Sequence, residues 1–205
     1  MPSLRAQLAI YESRPELPLH ATAEFTRQLW IGGNTDRTTR TMAEEPRRWL
    51  VLVETATKPA EAPFPDGELR SWDLEQINPG DQPSPAAAAG LILSSMDIEA
   101  SVEEEFNDWY NTEHIPVLAK LPGMLAARRF RAHRGSPRYV ALYHVADLAI
   151  YALRTWYSVN DTPWTLRMRR FQSNRTYFMF RAASPMAHAV VPAAQTAPPI
   201  DAAIR

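Results

Sequence analysis

Short apolar runs with a period of two alternate with longer stretches of helical period, most legibly after residue 88. Residues 90–96 (Gly-Leu-Ile-Leu-Ser-Ser-Met) form an expected strand. Ser101 followed by Glu103-Glu104-Glu105 predicts a helix start, with a hydroxyl cap and acids in the positive first turn. That helix is expected to end near Ile115, because Pro116 disfavours helical geometry in the residue before it. Leu121-Pro122-Gly123 reads as a turn, and residues 124–132 and 138–145 as a hairpin around a Gly- and Pro-containing loop. Asp147 predicts the cap of a second helix running through Trp156 and Tyr157. Asn160-Asp161-Thr162-Pro163 breaks the chain, residues 164–171 make further helical turns, and 176–181 are a last strand. The order βαββαβ is that of a ferredoxin-like α+β unit. Its helices cover one sheet face, and the other is apolar enough to need cover as well. Two such sheets face to face make an α/β barrel, across a dimer or within a tandem chain.

The N-terminal third has a weaker pattern. Residues 7–11, 48–55 and 68–77 read as strands. Residues 22–30 predict a short helix, with Thr22 as N-cap, Phe25, Leu29 and Trp30 on one face, and Gly32-Gly33-Asn34 as its end. Residues 78–85 (Asn-Pro-Gly-Asp-Gln-Pro-Ser-Pro) are a breaker-rich linker. Residues 1–80 are therefore a degenerate ferredoxin-like half or an N-terminal extension, 88–181 the well-formed unit, and 185–205, rich in Ala and Pro, a loose tail.

Composition narrows the function classes. A chain of 205 residues can bury a substantial core. Its formal net charge of −1 gives no global field to recruit nucleic acid or an anionic membrane. No apolar run approaches the roughly 20 residues of a membrane span, and the first residues lack a signal pattern. A cytoplasmic location is the expectation. Without cysteine there is no disulfide, thiolate metal site or cysteine nucleophile. His-Glu-x-x-His, phosphate-loop, dinucleotide and Gly-x-Ser-x-Gly patterns are all absent, so no metal and no cofactor are expected, and haem is set aside.

The richest chemistry lies in residues 106–116, Phe-Asn-Asp-Trp-Tyr-Asn-Thr-Glu-His-Ile-Pro. Phe106, Tyr110, Glu113 and His114 share a helical face, so the apolar stripe turns polar at its C-terminal end. A neutral imidazole there can exchange a proton, and Tyr110, one turn back, can donate to it or to a ligand. Equally, His114 can simply cap the helix end. On the strands, Met124, Ala126, Arg128 and Phe130 share a face. An arginine in that apolar row needs an anion: a substrate oxyanion, or a structural carboxylate. Arg129, on the opposite face, reads as a pairing or snorkelling residue. Tyr143 and His144 point to opposite sides, and the one facing the barrel interior is the better candidate, with Tyr143 favoured. Trp156, Tyr157 and Trp164 can roof a flat ligand or simply fill the core.

Trp109-Tyr110-Asn111-Thr112-Glu113-His114-Ile115-Pro116, then Leu121-Pro122-Gly123 and Ala127-Arg128-Arg129-Phe130, resembles the EthD-like group of the dimeric α/β-barrel superfamily. Pro163-Trp164-Thr165-Leu166-Arg167-Met168-Arg169 resembles a later element of the same relatives. The likeness covers residues 88–181. It implies the barrel fold, a homodimer, and a role for His114 beyond capping, while the reactions of the group vary from cyclase and dehydratase to accessory proteins. The expected function is a cofactor-independent acid–base enzyme (lyase, dehydratase, cyclase or isomerase) on a hydrophobic aromatic or polyketide-like molecule. In it His114, Tyr110 and Arg128 are catalytic, and Trp109, Glu113, Tyr143 and Trp164 bind substrate. A binding or accessory protein using the same cavity, and a purely structural barrel, are the competing readings.

Overall fold

Alternation along the strands sorts side chains onto two sides of one closed sheet. The structure, a computed structural model, describes residues 3–16, 25–36, 39–55, 64 and 66–183. Its strands are β1 (Arg5–Tyr11), β2 (Phe25–Asp36), β3 (Thr41–Met42), β4 (Arg48–Thr55), β5 (Arg70–Asn78), β6 (Gly90–Ile98), β7 (Met124–Arg134), β8 (Tyr139–Val145) and β9 (Gln172–Ala182). They run in the order β3-β2-β4-β1-β5-β7-β8-β6-β9, and β2 also pairs with β9. All but β3 thus form a closed antiparallel barrel within one chain. Each half has the same internal order: β2-β4-β1-β5 and β7-β8-β6-β9 both place the second, third, first and fourth strands of their half side by side. Between β6 and β7 lie α1 (Glu103–Trp109), a π turn (Tyr110–His114) and α2 (Ile115–Leu118); between β8 and β9 lie α3 (Arg154–Asn160) and α4 (Pro163–Met168).

The lumen is a packed core, with Leu8, Leu52, Leu74, Leu93, Leu142 and Phe180 all fully buried in it. Burying a side chain of this size contributes roughly 1.5–3 kcal/mol, so the interior is a source of stability. Outside the sheet of the second half, the helices pack on Ile92, Met96, Ala141, Tyr143 and Met179. Tyr143 therefore faces the helices and His144 the lumen, the reverse of the expected assignment. Among the described residues no helix is long and apolar enough to cross a membrane.

Three local expectations are corrected. The helix expected at 22–30 is replaced, from Phe25 onward, by β2, with Thr22 outside the described residues. Pairing with β4 on one side and β9 on the other overrides local propensity, and Gln28 and Trp30 are buried at a spacing of two. Ser101 makes no capping bond; it lies in a 3-10 turn (Ala100–Val102) that leads into α1. The helix also continues past Pro116 to Leu118. Ile115 N–H donates to Tyr110 O, five residues back, and Ala119 N–H returns to the α spacing on Ile115 O. The wide turn resets the hydrogen-bond frame where proline supplies no donor.

Gly32 was expected to end a helix and instead sits at the seam where β2 meets β9. A Cβ there would lie 1.9 Å from Met179 O. Gly32→Ala is expected to destabilise by roughly 1–3 kcal/mol through overpacking, read as a lower urea midpoint. An unchanged midpoint would mean that the seam closes differently.

Candidate active site

The π turn is what builds the site. By widening the helix it turns Trp109, Tyr110 and His114 together onto the outer face of the sheet, where all three are buried. The imidazole lies 4.4 Å from the Trp109 ring and 4.9 Å, edge-on, from the Tyr110 ring, measured between centroids. Its Nε2 is 3.2 Å from the Tyr143 hydroxyl, which reaches out from β8. Trp109 is anchored from behind, its Nε1–H donating to Thr165 Oγ1 at 3.1 Å. Together with Ile92, Met96 and Trp156 these residues wall a cavity of about 260 Å³ between the helices and the sheet.

Burial governs the ionisation of this group. His114 is pushed down to about 3 by desolvation, helped by the charges of Arg169 and Arg129, so the ring is neutral at neutral pH. Burial lifts the Tyr110 phenol to about 12 and Tyr143 well above its ordinary value. Both tyrosines are therefore donors. Arg129 lies beneath them, its guanidinium carbon 4.3 Å from the Tyr110 ring centre and 4.7–4.8 Å from those of Tyr139 and Phe106. Its hydrogen-bond partner is Asn107 Oδ1 at 2.7 Å, and among the described residues no carboxylate lies within ion-pair distance. Burial lowers it to about 10, so it remains a cation under the cavity floor.

The expected site residues divide. His114, Tyr110, Trp109 and Tyr143 come together around the cavity. Glu113 turns away to accept from the Thr162 hydroxyl at 2.5 Å, which ties the π turn to the start of α4. Trp164 donates to Glu105 Oε1 at 3.2 Å and does not line the cavity. Arg128 is on the other side of the sheet altogether. Its Nη1 bonds Glu54 Oε1 at 2.5 Å and Gln82 O at 2.9 Å, and its Nη2 bonds Ser84 Oγ at 2.7 Å. Of the two partners foreseen for it, it has taken the structural carboxylate. Arg129, read as a pairing or snorkelling residue, is the cation beneath the cavity. The period of two did place it opposite Arg128, and that was the available signal. Among the described residues no cluster of three His, Asp or Glu side chains is placed to hold a metal.

No family model matches this sequence, and no curated protein does. Solved structures do match. A candidate monooxygenase of Fusobacterium nucleatum superposes with a TM-score of 0.55 at 8% identity, over 89% of this chain and 93% of that one. An anthrone oxidase-like protein gives 0.54 at 10% identity, over 92% and 97%. A candidate monooxygenase of Lactobacillus acidophilus gives 0.50 at 9%, over 87% and 93%. The chain shares their α/β-barrel fold. At such identities the likeness speaks for architecture, and the chemistry must be argued from the side chains.

Two neutral buried histidines make a prediction about acid stability. His144, on the lumen side, is also held well below its ordinary value, by burial and then by Arg128. Both folded values lie below the ordinary 6.5, so in acid the unfolded chain binds protons that the folded chain refuses. This contribution is complete above pH 6.5 and is lost as the pH falls toward the His114 value of about 3. The slope is at most about 1.4 kcal/mol per pH unit for each ring. Urea midpoints are expected to fall steadily from pH 7 to pH 4.5, and equal midpoints at pH 7 and pH 5 would contradict the assignment.

Proposed function

We propose that this chain is a small-molecule enzyme that removes a proton from an enolisable, hydrophobic aromatic ligand held between the helices and the outer sheet face. His114 takes the proton, the enolate charge that forms beside it offsetting the burial that holds the ring near 3, and the Tyr143 and Tyr110 hydroxyls donate to the oxygen on which that charge develops. Arg129, beneath Tyr110, stabilises that charge through the aromatic floor. The observation that carries this reading is the neutral His114–Tyr143 pair on the wall of a buried aromatic cavity. Proton transfer of this kind needs only the chain's own residues and serves lyase, dehydratase, cyclase and isomerase reactions alike. The names of the structural neighbours, monooxygenase and anthrone oxidase-like, favour an oxidative outcome for the same carbanion, with dioxygen as the co-reactant.

The Trp-Tyr…His-x-Pro stretch supports kinship with the EthD-like group. The shared strand order supports reading both halves as ferredoxin-like copies, the first without the motif. One chain then carries one site, and a homodimer of such barrels is compatible with it.

A second reading, a binding or accessory protein, is favoured by the same histidine: a ring neutral down to about pH 3 is also a good hydrogen-bonding wall. Deuterium exchange into the methylene of anthrone in D2O, followed by proton NMR, separates the two. Exchange above the buffer rate supports the enzyme. Saturable binding with exchange at the buffer rate supports the accessory protein.

A further inference from the structure

The mouth of the cavity differs from its depth. Among its lining residues Arg40, Arg169 and Arg175 supply three cations, and Asp161 is the sole carboxylate. That carboxylate is already engaged, at 2.6 Å, by Arg169 Nη1. Arg175, on β9, donates from Nη2 to the Tyr177 hydroxyl, while its buried Nε–H has no partner among the described residues. Arg40 reaches across from the turn between β2 and β3, in the other half of the barrel. Its backbone is in the left-handed region at φ 60°, and its guanidinium carbon lies 3.4 Å from the centre of the Tyr157 ring. Neither Arg40 nor Arg175 has a carboxylate within ion-pair distance among the described residues. Further buried polar atoms on lining residues, Trp156 Nε1 and Asn160 Oδ1 among them, are also without partners among the described residues. Buried polar groups are ordinarily satisfied, and here a donor, an acceptor and two guanidinium groups without a carboxylate partner among the described residues line one space.

We propose that the ligand of this cavity is a hydroxylated aromatic carboxylate, with its ring among the aromatic side chains and its carboxylate held at the mouth by Arg175 and Arg40. This rests on the reading of the cavity as the functional site and names the class of molecule it takes. A guanidinium fork matches a carboxylate in shape as well as charge. The unpartnered Trp156 N–H and Asn160 carbonyl suit a ring hydroxyl, which both accepts and donates. A volume of about 260 Å³ lies just below the roughly 300–1,000 Å³ of drug-sized pockets, which favours two or three fused rings over a long polyketide.

The test compares 6-hydroxy-2-naphthoate with 2-naphthol, which differ by the carboxylate alone, by fluorescence titration of the full chain at low salt. The naphthoate is expected to bind at least about tenfold tighter, a difference of about 1.4 kcal/mol. Arg175→Gln should abolish most of that preference while leaving 2-naphthol within about twofold. Arg40→Gln, at an exposed position that does not threaten folding, should act in the same direction. Equal affinity for both probes, binding of neither, or a preference that survives the Arg40→Gln/Arg175→Gln double variant would overturn the proposal. His114→Gln should keep the carboxylate preference, so a failure of the proton-transfer reading leaves this result intact and separately readable.

Discussion

Glu54→Ala is expected to lower the melting temperature by roughly 6–20 °C. Arg128 is fully buried in the barrel lumen and Glu54 is 4% exposed, and their bond, at 2.5 Å, is the one carboxylate contact of that guanidinium among the described residues. Removing one partner of a buried pair leaves an uncompensated charge and destabilises by about 3–5 kcal/mol. In a domain of this size each kcal/mol shifts the midpoint by about 2–4 °C. Glu54 also accepts from the Ser84 N–H and hydroxyl, both at 2.9 Å, so the same change loosens the linker that joins the two halves. Replacing both charges, as Glu54→Gln with Arg128→Met, should recover part of the loss, because no unpaired ion remains. Calorimetry reads both variants. A shift of about 2 °C or less for Glu54→Ala would mean that water reaches Arg128 and that the lumen is less dry than described.

What could be read from the sequence, and what could not, follows the range of the interactions involved. The second half was legible because its signals are local: Pro122-Gly123 for the turn and a continuous apolar run along β8. Asp147, expected to cap the helix through Trp156, caps only a 3-10 turn (Leu148–Ala152), and α3 starts afresh after an extended Leu153. The strand at Phe25–Asp36 was missed because its reasons are distant. Phe25, Leu29 and Trp30 fit a helical face as well as a strand, and only β4 and β9 decide between them. The site shows the same division. The cluster Trp109, Tyr110, His114 lies on one element and was found. The period of two separated Tyr143 from His144, yet it could not say which side of the sheet faced a cavity. That depends on the barrel filling its own lumen, which drives the cavity out beneath the helices. Arg40 and Arg175 carry no motif, and folding alone brings them to the same mouth.

The largest functional effect is expected at His114. A positioned general base contributes about 10²–10⁴ to rate, and His114→Gln should remove most of that. Glutamine can still bond Tyr143, and a neutral ring leaves no charge stranded when it goes. The fold should therefore survive, with a melting temperature within a few degrees of the parent. Tyr143→Phe should reduce the rate less, because Tyr110 still donates to the same oxygen. If His114→Gln instead unfolds the protein, the ring is a structural part of the π turn, and the capping role takes precedence.

The most direct test is the rate of deuterium entry into the anthrone methylene, measured side by side for the parent protein and His114→Gln at equal occupancy. Proton abstraction by His114 predicts catalysed exchange in the parent and a fall of about a hundredfold or more in the variant, with binding unchanged. Exchange in His114→Gln as fast as in the parent would contradict it.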